Sequence, residues 1–259
     1  MIDRPVPSRP VAGAPSRLAV VAAVLALILG AGAILAPADA LAADRYTLDV
    51  ARSGDYVAQT NFVQCVGASM QMMANMISPR DDRTAARQLE LQRLARMLSG
   101  PSRTGRERQG ASVRGWTAGL NHLGYGPYRL AGASSLDEAM RMAARAIAAT
   151  GRPVGLLVWR GRHAWVMSGF QATADPMRTD AFTVTGAFIL DPLHPHGSAA
   201  WGPSPRPGTL QSIQAVGRQF VARGTSSSSA RWLTSTLSGK WVMVLPVDSP
   251  GHPWANRLS

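Results

Sequence analysis

The sequence predicts an α+β domain in which a helical half precedes a mostly antiparallel sheet. Four segments with helical hydrophobic spacing occupy residues 65–149. Four short apolar runs rich in β-branched and aromatic residues, separated by turn residues, follow between residues 153 and 247. Helices first and strands later favour an α+β arrangement over alternating βαβ units with a parallel sheet.

The predicted helices cover residues 65–78, 82–99, 112–123 and 135–149. The first helix ends before Pro79, and we expect its methionines to fill the core. The fourth opens with the capping-box pattern Ser135-x-x-Glu138. The apolar positions that share a face in the first three are Val66, Met70, Met73, Met76 and Ile77, then Leu91, Leu94 and Leu98, then Trp116, Leu120 and Leu123.

The predicted strands cover residues 153–159, 163–170, 182–190 and 240–247. Between the last two lies a long segment, residues 194–239, that begins rich in proline and glycine and contains a possible short helix over residues 210–220. No internal repeat and no second domain are visible. We therefore expect one domain over residues 44–248, followed by a surface tail over residues 249–259.

Composition narrows the range of functions. The net charge is +12, and Lys240 is the only lysine among twenty-seven cationic side chains. The arginines are scattered and are not interleaved with aromatic residues, so nucleic-acid binding is disfavoured. A basic chain of this kind is better suited to anionic envelope or membrane surfaces.

Residues 1–43 have the pattern of an export signal. Arg4, Arg9 and Arg17 precede an uncharged apolar stretch over residues 18–36, and Ala-Leu-Ala precedes Ala43. The apolar stretch also approaches the length of a membrane-spanning helix, so an uncleaved N-terminal anchor is the alternative to a signal peptide. In both cases the positive-inside rule predicts that the domain is extracytoplasmic, either secreted or anchored.

Cys65 is the only cysteine in the chain. It cannot form an internal disulfide, and an unpaired thiol in an exported protein is exposed to oxidation. A small buried hydrophobe is the simplest interpretation of such a residue. The alternative is a nucleophile, because the predicted helix begins at this residue and a helix N-terminus favours the thiolate.

A nucleophilic thiol also needs a base, a group that orients the base, and donors for the oxyanion. His163 opens a predicted strand, and Asp191 ends the next one, so antiparallel pairing would bring the two side chains together. Taken singly, this histidine could be an ordinary buried side chain and this aspartate a turn former. Gln59 and Gln64 both precede the cysteine and are the two candidates for the oxyanion donor.

This ordered set resembles papain-like cysteine peptidases, and more narrowly the bacteriocin-processing (double-glycine leader) peptidase-like group, without its transporter. The resemblance covers roughly residues 55–195 and implies a papain-like fold, with the nucleophile at a helix start packed on the sheet. It implies that Cys65 is the nucleophile, His163 the base and Asp191 the orienting carboxylate. It also selects Gln59 as the oxyanion donor. The family commonly has glycine directly after the cysteine, where this chain has Val66.

The expected function is therefore an exported thiol hydrolase that cleaves amide bonds in a peptide or protein substrate, with no cofactor. An amidase, transpeptidase or acyltransferase on the same triad is the first alternative. A non-catalytic module whose Trp116, Trp159 and Trp165 line a ligand groove is the second. Zinc binding by His194 and His196 is disfavoured, because Pro195 places them in a loop and neither HExxH nor CxxC occurs.

Overall fold

A computed structural model describes residues 45–79, 81–101, 109–224 and 236–248. The predicted signal or anchor over residues 1–43 and the predicted tail over residues 249–259 lie outside these ranges. Within them, no helix has both the length and the apolar character that crossing a membrane requires.

The described chain contains five α-helices, and nine strands arranged in two sheets. The helices are α1 (Cys65–Ile77), α2 (Ala85–Met97), α3 (Val113–His122), α4 (Leu136–Thr150) and α5 (Ile213–Gly217). The strands are β1 (Tyr46–Asp49), β2 (Tyr128–Ala133), β3 (Val154–Val158), β4 (His163–Ala172), β5 (Val184–Leu190), β6 (Gly197–Ser198), β7 (Gly202–Pro203), β8 (Leu210–Ser212) and β9 (Trp241–Pro246).

Seven strands form one sheet with the order β2-β9-β3-β4-β5-β8, and β1 pairs with β4 beside this path. Every pairing is antiparallel. β6 and β7 form a separate small hairpin. The α+β class and the mostly antiparallel sheet are confirmed.

The sheet separates two apolar clusters of buried side chains. One contains Trp165, Met167 and residues of α4; the other contains Ala164 and Val166 with residues of α1, α2 and α3. Successive residues of β4 thus belong to opposite faces, as the period of a strand requires. This arrangement places α1, and with it Cys65, on the second face.

The methionines of α1 fill the core as predicted, because Met70, Met72 and Met73 are fully buried. The buried face of α2 differs from the predicted leucine stripe. Leu91 and Ala95 are buried, but they share that face with Gln88 and Gln92, whereas Leu94 and Leu98 are only half-buried. The polar residues face inward because they bind backbone groups near the start of α1.

α1 and α2 approach each other closely at Gly67. A Cβ atom at this position would lie 2.8 Å from the Gln88 carbonyl oxygen and 2.8 Å from Cβ of Gln92. Glycine therefore permits the two helices to pack at this point. At the other end of α1, the Arg52 guanidinium donates to the carbonyls of Asn75 and Ser78, which lack partners within the helix. Both contacts hold the helix that begins at Cys65.

Candidate active site

α1 begins at Cys65, and the side chain is half-buried. The residue before it, Gln64, gives no side-chain cap. The third N–H of the helix, at Gly67, donates to Oε1 of Gln92 at 2.9 Å. The cysteine therefore lies in the first turn of α1, beside the N–H groups of the helix N-terminus.

Val66, which follows Cys65 in the chain, is buried in the cluster beneath α1. Its side chain belongs to the core on the α1 face of the sheet and contributes to packing. The half-buried thiol therefore retains an approach from solvent that Val66 does not occupy.

Two glutamines of α2 hold the loop that leads to the cysteine. Gln88 accepts from the Thr60 N–H at 2.8 Å and donates to the Ala58 carbonyl at 3.0 Å. Gln92 donates to the Val63 carbonyl at 3.0 Å, in addition to its bond with Gly67. Both glutamines are buried. Sequence reasoning missed these residues; their signal is the four-residue spacing, which places them on one helix face.

His163 and Asp191 form a buried pair. Nε2 of His163 lies 2.7 Å from Oδ1 of Asp191, and the two side chains are 4% and 0% exposed. Their pairing follows from the antiparallel register of β4 and β5, which joins Val166 to Leu190 and so aligns the start of one strand with the end of the other. The Nδ1 atom remains for Cys65, which interacts with the same imidazole.

The carboxylate of Asp191 is fixed by the turn that follows it. Oδ1 also accepts the Leu193 N–H at 2.8 Å. The Tyr56 hydroxyl supports the same turn by donating to the His194 carbonyl at 2.9 Å. Burial, and then the charge of Asp191, raise the pKa of this hydroxyl to about 12, so it remains a donor.

The environment of the His163–Asp191 pair favours the protonated form of His163. Burial alone would lower the pKa of His163, but the hydrogen bonds to Asp191 and Cys65 and their charges raise it to about 9. Burial of Asp191 would raise its pKa, yet the hydrogen bond and charge of His163, with the hydrogen bond from the Leu193 N–H, lower it. An acidic and a basic group with opposed shifts are typical of reaction centres.

Trp159 covers the imidazole. Its ring and that of His163 are stacked, with centroids 4.2 Å apart and an angle of 23° between the planes. The sequence interpretation had assigned this tryptophan, with Trp116 and Trp165, to a possible ligand groove. Trp116 is instead fully buried in the core, so a groove lined by all three is wrong. The four-residue distance from Trp159 to His163 is the signal that sequence reasoning missed.

The structure places Gln59 beside the Asp191 turn. Its backbone N–H donates to the Pro192 carbonyl at 2.7 Å. Its side-chain amide donates to the Asn61 carbonyl at 2.8 Å, and no hydrogen bond joins it to Cys65 among the described residues. The competing candidate, Gln64, is buried and accepts from the Thr60 hydroxyl at 2.5 Å. Cys65, His163 and Asp191 are thus brought together, and Gln59 is near but bonded locally.

A cavity of about 210 Å³ lies between the segment 58–62 and the segment 192–196. Gln59 lines it, together with Phe62, which is 84% exposed. His194 and His196 lie on the opposite wall. Across the described ranges, no group of three or more His, Cys, Asp or Glu side chains is arranged to hold a metal ion.

No protein-family model matches the chain, and no curated protein is significantly similar to it.

Proposed function

We propose that this protein is an exported, papain-like thiol hydrolase that cleaves an amide bond in a peptide or protein outside the cytoplasm. The observation that carries the proposal is the buried hydrogen bond of 2.7 Å between His163 and Asp191 beside the first residue of α1, Cys65. A base, its orienting carboxylate and a half-exposed thiol at a helix start are the three parts that nucleophilic thiol catalysis needs.

The reaction begins with proton transfer from the Cys65 thiol to His163, which gives a thiolate–imidazolium pair. The raised pKa of His163 favours this pair at neutral pH. The thiolate attacks the carbonyl carbon, and the C–O π electrons move to the oxygen. The Cys65 N–H and the side-chain amide of Gln59 are the proposed donors to that oxyanion.

Collapse of the tetrahedral intermediate breaks the C–N bond, and the imidazolium of His163 gives its proton to the departing amine. Water then attacks the thioester with His163 as the base, which releases the acid and restores the thiol. Gln59 would have to exchange its bond with the Asn61 carbonyl for one to the oxyanion. Such tightening upon substrate binding is common, since hydrogen bonds in ligand-free sites are often not yet productive.

The loop that leads to Cys65 supports a proposal for the substrate class. Phe62 exposes an apolar ring on the loop that enters α1, and the adjacent cavity of about 210 Å³ is open to a side chain. A peptide could place an apolar side chain here while its scissile carbonyl lies at Cys65. We therefore propose a peptide with an apolar residue near the cleaved bond.

A library of defined peptides tests this function. The purified protein and its Cys65→Ala variant are incubated with the library, and new termini are identified by mass spectrometry with and without added glycinamide. Cleavage that requires Cys65 supports hydrolysis, and glycinamide adducts would favour an acyltransferase on the same residues. If neither product depends on Cys65, the proposed chemistry is wrong.

A further inference from the structure

The stacking of Trp159 on His163 depends on an unusual backbone. Trp159 and Arg160 have φ angles of 55° and 56°, and no other described non-glycine residues have positive φ. Side chains with a Cβ atom rarely adopt this left-handed region, and two in succession need support from the surrounding structure. The position of the indole is therefore imposed by contacts from elsewhere.

Gln219 supplies these contacts. Its carbonyl accepts the Trp159 backbone N–H at 3.0 Å, and its Oε1 accepts the indole N–H at 2.9 Å. Its own amide donates to the Pro203 carbonyl at 3.0 Å. Gln219 is 6% exposed. One buried side chain thus connects the indole to Pro203, within the long segment between β5 and β9.

The stack affects the charge of His163. The ring is 4% exposed beneath an indole that is itself only half-buried. An indole face attracts a cation, and exclusion of water strengthens the hydrogen bond to Asp191. Burial under the indole by itself lowers the pKa of His163, but the pKa is nevertheless raised, because the hydrogen bond and charge of Asp191 outweigh burial. The attraction of the indole face adds to this stabilisation of the imidazolium as long as the indole remains parallel to the ring.

We propose that Gln219 is a positioning residue of the active site, which holds Trp159 over His163 and thereby keeps the imidazole protonated and bonded to Asp191. Gln219 acts through Trp159 and does not contact the reacting atoms. The expected effect of Gln219 on catalysis rests on the proposed function. The expected effect of Gln219 on the charge of His163 does not, because it can be measured in the protein without substrate.

The test compares Gln219→Met, which preserves side-chain length but removes the acceptor, with Gln219→Glu, which retains it. The control is Gln214→Leu, an exposed residue on α5. The His163 imidazole is titrated by NMR in protein with isotope-labelled histidine. We expect an apparent pKa near 9 in the parent and the control, a shift towards the ordinary 6.5 in Gln219→Met, and no such decrease in Gln219→Glu.

Turnover of a peptide identified with the library gives the second readout. In Gln219→Met we expect kcat to fall about tenfold, less than the roughly 10²–10⁴-fold that general acid–base catalysis contributes, because His163 itself is retained, with KM within about twofold. A folded Gln219→Met variant with an unchanged His163 titration, whether or not its melting temperature falls, overturns the proposal. If that variant does not fold, Trp159→Phe is titrated instead, because its smaller ring has no N–H to donate to Gln219. An unchanged His163 titration in Trp159→Phe also overturns it.

The two proposals fail separately. Absence of Cys65-dependent turnover contradicts the proposed hydrolase activity. The titration of His163 would still test the role of Gln219 in that case. An unchanged titration alongside normal turnover contradicts the role of Gln219 alone.

Discussion

Oδ1 of Asp191 accepts two hydrogen bonds, one from Nε2 of His163 at 2.7 Å and one from the Leu193 N–H at 2.8 Å. The second bond comes from the turn after β5 and fixes the carboxylate before any substrate binds. The imidazole is thereby held with Nδ1 available to Cys65.

Asp191→Asn removes the negative charge while preserving the side-chain shape. The pKa of His163 should fall, because its raised value depends on the hydrogen bond and charge of Asp191. We expect kcat/KM to decrease by roughly 10²–10⁴-fold, the range that general acid–base catalysis contributes. Steady-state kinetics checks the result, with the exposed Asp137→Asn as the control. Equal activity of the two variants would contradict the orienting role.

The stability of the protein should decrease as the pH rises from about 6.5 to about 9. The pKa of His163 in the folded protein is about 9, above the ordinary value of 6.5, so the folded state binds the additional proton. The contribution of protonated His163 to the free energy of unfolding is fully present below pH 6.5 and is lost as the pH rises through 9. Denaturant unfolding at a series of pH values measures it. His163→Gln should flatten this part of the curve, and an equally steep curve in that variant would exclude His163 as the cause.

Gln59→Ala should reduce turnover without reducing alkylation of Cys65 by iodoacetamide. The amide acts only on the oxyanion, which forms during acyl transfer and not during alkylation. Loss of one such donor costs roughly 10²–10³-fold in kcat. Gln64→Ala is the comparison, since its side chain is bonded to Thr60. A larger loss of kcat in Gln64→Ala than in Gln59→Ala would reverse the assignment.

Gly67→Ala should destabilise the fold, because the added Cβ would lie 2.8 Å from the Gln88 carbonyl oxygen and from Cβ of Gln92. Overpacking of this kind costs roughly 1–3 kcal/mol. The matched control is Gly224→Ala, where a Cβ would meet no atom of the described residues within 4 Å. Chemical denaturation measures both free energies of unfolding. A neutral Gly67→Ala would show that α1 and α2 are not constrained at this position.

The helices and the four long strands are readable from the sequence because their apolar residues recur with a clear period. The strand Tyr128–Ala133 was not separately predicted. Its small and polar residues gain strand geometry from pairing with β9, more than a hundred positions later. Local periodicity carries no information about such a partner.

Some residues of the candidate site could be predicted from the sequence, and others could not. Cys65, His163 and Asp191 are identified by chemistry and by their order along the chain. Gln88, Gln92 and Gln219 are not, because each acts by hydrogen bonding to a backbone or side chain that only folding brings near. In sequence such glutamines are indistinguishable from solvated polar residues.

The most direct test of the central claim is the rate of Cys65 alkylation by iodoacetamide as a function of pH. A free thiol with the ordinary pKa of about 8.5 is almost entirely protonated at pH 6 and reacts slowly. A thiolate held by His163 should be labelled rapidly at pH 6, and His163→Ala should abolish that rapid labelling. A rate that instead rises only near pH 8.5, and that His163→Ala leaves unchanged, would contradict the triad.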